Sequence, residues 1–456
     1  MQDIAARIPR SIAHWLDPFV NVAVIIAVYL LLKDSQINDL FLAIAIVLSV
    51  GAVMGLIEFY RAPWSPLRPQ VSIQRNMQKV ISETSLQWLG MLSYFLVILF
   101  LWWLLAEYYR DYYAPFFDML PLLMVSAPLV TALVLFATEK FVGPAKRGGR
   151  EFGLLVARTA IGNYKKAFAE AQWSFIRDEL FSWLLFGFFL PLNFVELVNT
   201  IGQIRGQEAQ VFSGDWTHAQ SVILLMIYGA IIASITPGYL FGSRLIRTET
   251  RGVDHSWFGW TVTLICYDPI VTAVFGRWFD YRAAVEGPLW MRPWSATFQN
   301  APMLLLLVGI LIICCELVHL WGEAQFGLRS SNLSNRGVIT AGLYRITKHP
   351  VYVSKMAGWF LIWVPFIAGG SFVTDLRFTL LWMCVGIIYC LRALAEERVL
   401  SKDIDYVAYA LYMDKYGAFA SVGKILPFMT FEYRLRKWQE KTVAVPQETP
   451  AIAVQA

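Results

Sequence analysis

Two short stretches of this 456-residue chain carry residues whose types and spacing can do chemistry. The first, Arg336-Gly-Val-Ile-Thr-Ala-Gly-Leu-Tyr-Arg-Ile-Thr-Lys-His-Pro-Val-Tyr352, sets glycines, aromatics, a histidine and a proline against the start of an apolar segment. Proline at the first turn of a helix lacks an N–H that would go unpaired anyway, so the neighbouring N–H groups and the positive end of the dipole are free to face a ligand. The second, Arg392-Ala-Leu-Ala-Glu396-Glu397, closes a later apolar segment. Adjacent carboxylates at a membrane boundary are costly without a cation, and ionisable groups at such depth are functional candidates by default. An ammonium or a sulfonium suits them equally. A lone histidine at a helix start caps more often than it catalyses, and an acidic pair at a helix end is commonly just solvated, although it opposes the macrodipole and so calls for a cation. The company of Pro350, Tyr352 and the opposed glutamates favours a site at His349.

The elements that position these stretches follow from composition. With 57% hydrophobic and 16% charged residues and a mean hydropathy of +0.52, there is too little polar surface to clothe a soluble body, so the expected fold is an all-α polytopic membrane protein. Apolar runs near 16–33, 39–60, 86–107, 114–138, 178–199, 219–243, 256–276, 301–321, 356–373 and 377–394 give about ten transmembrane helices at roughly 20 residues each. The seventh carries Asp268-Pro269 mid-run and reads as spanning or re-entrant. The short link Ala368–Leu376 makes the last two runs an antiparallel hairpin, which brings His349, Tyr352, Glu396 and Glu397 to one membrane face.

Lys and Arg accumulate on cytoplasmic loops. With the N-terminus inside, those loops hold Arg61, Arg68, Arg75 and Lys79, then Lys140, Lys146, Arg147, Arg150, Arg158, Lys165 and Lys166, then Arg244, Arg247 and Arg251, then Arg329, Arg336, Arg345, Lys348 and Lys355. Both termini are therefore expected in the cytoplasm, the exception being Arg277, Arg282 and Arg292 on the opposite side. Arg7 and Arg10 precede a first run that reads as a retained helix. Aromatic residues such as Trp102, Trp103, Tyr108 and Tyr109 close apolar runs as an interfacial belt. A net charge of +5, dispersed among loops, argues against a nucleic-acid partner. The five cysteines lie inside apolar stretches and read as packing residues, with neither disulfide nor metal expected. Residues 1–300 read as a transmembrane region of unassigned role, 301–437 as the catalytic core, and 438–456 as a disordered tail.

Gly342-Leu-Tyr-Arg-Ile-Thr-Lys-His-Pro-Val-Tyr352, a helical hairpin, and Glu396-Glu397 followed by Tyr406, Tyr409, Tyr412 and Tyr416 resemble the C-terminal core of the isoprenylcysteine carboxyl methyltransferase and phospholipid methyltransferase group, over residues 320–430. That family's usual Arg before the His and Gly after the Tyr are Lys348 and Ser354 here, and Asp403-Ile404-Asp405 replaces its Phe-Gly pair. The resemblance implies S-adenosylmethionine held at the cytoplasmic membrane edge by Tyr344, His349, Pro350, Tyr352 and Glu396 or Glu397, with Arg392 near a hydrophobic or lipid acceptor that enters from the bilayer. The expected location is the bacterial cytoplasmic membrane.

Methyl transfer from a sulfonium is an in-line displacement carried by alignment and desolvation. A carboxylate or thiolate acceptor needs no base; an amine needs one, and Glu397 is the nearest in sequence. A sterol-type membrane reductase, whose C-terminal segment is similar, would bind NADPH there through additional Arg, Lys and Asn contacts. A lipid transporter or scaffold would show paired repeats with broken helices, and none is evident. Asp178, Glu179, Glu196, Asp268 and Glu316 either line an acceptor cavity or pair with arginines. His14, His218, His255 and His319 read as structural, and the stretch Arg244–Tyr267 as a neighbour of the site.

Overall fold

The computed structural model describes residues 8–63, 76–143, 147–212, 214–281 and 293–443. In chain order the helices are α1 Asp17–Leu32, α2 Asp39–Arg61, α3 Met77–Leu104, α4 Ala114–Phe141, α5 Arg147–Ala160, α6 Tyr164–Glu170, α7 Trp173–Gln207, α8 Trp216–Leu240, α9 Trp257–Leu264, α10 Ile270–Ala273, α11 Pro293–Thr297, α12 Pro302–Ala324, α13 Pro350–Trp363, α14 Phe372–Leu400, α15 Ile404–Tyr416, α16 Ala420–Ile425 and α17 Phe431–Val443. Seven are long and apolar enough to cross a membrane: α2, α3, α4 with its lead-in from Asp111, α7, α8, α12 and α14. Of the seven, α2, α3, α8 and α14 start with a side-chain cap, and α4, α7 and α12 without one among the described residues. Asn38 accepts from Phe41 N (3.0 Å) at α2, Asp215 from Thr217 N (2.9 Å) at α8, and Ser371 from Thr374 N (3.3 Å) at α14.

The other three apolar runs take different forms. Helix α1 has 16 residues and α13 has 14. The run 256–276 breaks into α9, a turn at 265–269, α10 and a π-turn at Val274–Trp278. The hairpin link lies at 364–371 rather than 368–376, and α14 runs to Leu400, so Glu396 and Glu397 sit inside its last turns and not beyond its end. Helix α17 reaches Val443, past the expected start of the tail at 438; residues 444–456 lie outside the described part, as do Arg7, Arg68, Arg75, Lys146, Arg282 and Arg292.

The main core joins α2, α3, α7 and α8 through Leu42, Ile46, Ile98, Phe189, Val195 and Ile232. Outward, Leu122, Val125, Leu129 and Leu133 form an exposed stripe on α4 at helical spacing, as a lipid-facing helix should. Helices α3 and α5 meet backbone to backbone. A Cβ at Gly90 would lie 1.8 Å from the Gly149 carbonyl oxygen, and one at Gly153 would lie 1.9 Å from that of Leu86.

Two connections tie these helices to the C-terminal third. Strand β1, Gly252–Val253, pairs antiparallel with β2, Ser334–Asn335, so the loop after α8 is laced to the loop after α12. Arg329 donates through both terminal nitrogens to Glu58 of α2, at 2.8 and 2.5 Å, with both side chains buried. Glu58 in turn lies 3.7 Å from Arg61, which grips Asp17 at the start of α1.

Candidate functional site

Between α8, the 328–352 loop, α14 and α15 lies a cavity of about 1170 Å³, its open mouth included. Helix α13 begins at Pro350 because proline suits a first turn, and His349 before it makes no side-chain cap. The ring instead turns to α14, with Nε2 3.2 Å from Glu397 Oε1 and Nδ1 3.9 Å from Glu396 Oε2. One turn on, Tyr352 stacks against it at 5.6 Å and donates a short hydrogen bond to Glu396 Oε1.

The adjacent glutamates face different surroundings. Glu396 lines the cavity, beside the Arg392 Nε at 3.5 Å. Glu397 does not line it. That carboxylate is buried behind, 2.9 Å from Lys348 Nζ and bonded to His349 and to Arg434 of α17. Lys348 also bonds Asp414 at 3.1 Å, so the lysine standing where the resemblance leads one to expect arginine joins α15 to α14.

Arg392 is held between two rings, 5.2 Å from the centroid of Tyr267 and 5.3 Å from that of Tyr352. It donates to the Tyr267 hydroxyl at 3.0 Å and to Asn332 Oδ1. The Asn332 amide then donates to the Tyr239 hydroxyl at 2.9 Å. One chain of contacts thus runs from α8 through the 332 loop and α14 to α13.

Of the residues expected at the site, Tyr344, His349, Tyr352, Arg392 and Glu396 line the cavity, whereas Pro350 and Glu397 do not. Pro350 packs near Gly322 at the α12–α13 crossing. The Tyr344 hydroxyl donates to Gly322 O at 3.3 Å, and burial raises its pKa well above the ordinary tyrosine value. The stretch 244–267 does abut the cavity, through β1 and Tyr267. His218 meets Asp215 at 2.7 Å, His255 meets Asp178 at 3.0 Å, and His319 meets Glu316 at 3.0 Å, so three of the histidines set aside as structural carry acidic partners.

Sequence reading missed Asn332, Tyr239, Glu323, Arg434 and the Glu58–Arg329 pair. Glu58 offered a signal, since it is a carboxylate inside an apolar run. The others lie in elements that hydropathy does not relate to the site. No family model, curated protein or solved structure matches the chain.

Proposed function

We propose that this protein is an S-adenosylmethionine-dependent methyltransferase of the bacterial cytoplasmic membrane, with about ten membrane segments, both termini inside, and a hydrophobic or lipid acceptor. The observation that carries the reading is the convergence of His349, Tyr352, Arg392 and Glu396 on one cavity, where the resemblance in sequence expects the cofactor. The residues present fit such a group. The Tyr406 hydroxyl and the Ser334 Oγ are buried against the cavity with no hydrogen-bond partner among the described residues, and buried polar groups are rarely left so without a ligand or water to meet them. Bound there, S-adenosylmethionine would supply a methyl group on a sulfonium.

The chain's own contribution is alignment. Tyr352 and Arg392 hold the Glu396 carboxylate in place to accept from hydroxyl or amino donors of the cofactor. Glu396, not the enclosed Glu397, is the carboxylate available to an amine acceptor that needs a base. Phe275, Tyr281, Trp359 and Tyr389 make an aromatic seam between the broken 257–278 segment and α13–α14, and an apolar acceptor would enter along it with water excluded.

The reductase alternative needs several uncommitted cations for phosphates. Arg329 is committed to Glu58, Lys348 to Glu397 and Asp414, and Arg392 to Glu396, Asn332 and Tyr267. That leaves, among the described residues, Arg336 alone on the cavity wall, too little for a polyphosphate. Titration calorimetry of the detergent-solubilised protein with S-adenosylhomocysteine and NADPH tests the choice. Saturable S-adenosylhomocysteine binding, weakened about tenfold or more in Glu396→Gln, supports the reading. Heat from NADPH alone, or from neither, overturns it.

A further inference from the structure

Two side chains of opposite charge type on the cavity wall are left over once the pairings among the described residues are counted. Arg336 is the first. Among the described residues no carboxylate lies within ion-pair distance of it, and its donors go to neutral acceptors: Thr250 Oγ1 at 3.2 Å, Gly238 O, and Leu328 O at 3.4 Å. Burial pushes its pKa down to about 10. Ser334, two residues earlier, brings its unpartnered Oγ to the same cavity. Glu323, in the last turn of α12, is the second. Its carboxylate lines the cavity without a hydrogen bond or ion pair to any described residue. A half-buried charge is stabilised by an opposite one, so a cavity wall that shows one unpaired group of each sign is complementary to a ligand that carries both signs.

We infer that Arg336, with Ser334, and Glu323 form a zwitterion clamp that takes the carboxylate and the ammonium of an α-amino acid moiety. The inference rests on the methyl-donor reading, where that moiety is the methionyl end of the cofactor. It also gives the N-terminal region a part in the site, because Thr250 and the Gly238 carbonyl orient the guanidinium from the loop after α8 and from α8 itself.

The test uses the full chain in detergent and two ligands, S-adenosylhomocysteine and 5′-methylthioadenosine, which lacks the amino acid end. The unmodified protein binds the first more tightly. Arg336→Gln and Glu323→Gln each weaken S-adenosylhomocysteine about 30-fold, as expected for losing one partner of a desolvated charge pair. Each leaves methylthioadenosine within about twofold, since these variants touch nothing that it contacts. Parallel weakening of both ligands, an unchanged S-adenosylhomocysteine affinity, or equal binding of the two ligands by the unmodified protein overturns the clamp. If Arg336→Gln does not fold, Glu323→Gln and Ser334→Ala carry the same comparison. Binding of neither ligand to the unmodified protein sinks the methyl-donor reading itself, an outcome distinct from a clamp that fails while S-adenosylhomocysteine still binds.

Discussion

Around the α3–α5 crossing the chain brings backbone against backbone at Gly90, Gly149 and Gly153. Around the cavity it keeps its elements apart with Arg392, Asn332, Tyr267 and Tyr352. The first arrangement belongs to unbroken helices, α3 among the spanning ones, whose backbone groups are satisfied internally; the second belongs to the part where apolar runs are short or broken. In lipid, irregular backbone persists only where protein or enclosed water satisfies it. The broken 257–278 segment and the 14-residue α13 therefore mark where polar side chains had to gather. Regularity and function separate along the chain for that reason.

The largest effect that sharpens this contrast comes from the two glutamates. Glu397→Ala takes the buried carboxylate away from Arg434 and leaves Lys348 with Asp414 alone, and breaking a buried pair in this way costs about 3–5 kcal/mol. Glu396→Ala removes a carboxylate that is partly open to the cavity, at 25% side-chain exposure, and costs about 1 kcal/mol or less while abolishing ligand binding. Thermal melting followed by tryptophan fluorescence, alongside calorimetry, separates the two. Equal melting temperatures for the two variants would break the division of labour.

A smaller effect belongs to the regular part. Gly90→Val places a side chain on the Gly149 carbonyl oxygen and costs about 2–3 kcal/mol through overpacking. On the proposed methyl-donor reading, the folded fraction keeps whatever S-adenosylhomocysteine affinity the unmodified chain has, because α3 contributes nothing to the cavity wall. Loss of affinity at unchanged stability would mean that the two regions are coupled more tightly than the Glu58–Arg329 pair and the two-residue strands convey.

Hydropathy made the regular part legible. Each of the seven long helices lies under an apolar run read from the sequence, because one dominant quantity, the cost of polar groups in lipid, sets their position. The site was legible only as far as local sequence reaches. His349, Tyr352, Arg392 and Glu396 stand in two compact motifs, and a hairpin is enough to join them. Asn332, Tyr239 and Glu323 meet them through lateral packing of helices, which no single-chain periodicity encodes. The same limit left Glu396 and Glu397 interchangeable in sequence. What distinguishes them is Arg434 on α17, 37 residues further on, together with Lys348.

Helix starts give the smallest and cleanest contrast. Asp215 caps α8 with bonds to Thr217 N at 2.9 Å and His218 N at 3.4 Å, so Asp215→Ala costs about 1 kcal/mol and leaves ligand affinity unchanged. His349 occupies the equivalent position of α13 and spends its ring on the glutamates of α14 instead. His349→Ala therefore removes no cap, and its effect falls on ligand affinity, through loss of the contact that fixes Tyr352 and Glu396. His349→Asn restores a capping side chain without the ring, so it raises helix stability by up to about 1 kcal/mol relative to His349→Ala and leaves the lost affinity unrecovered. Recovery of affinity by asparagine would show that His349 serves the helix end, and that the stacked ring plays no part in shaping the cavity.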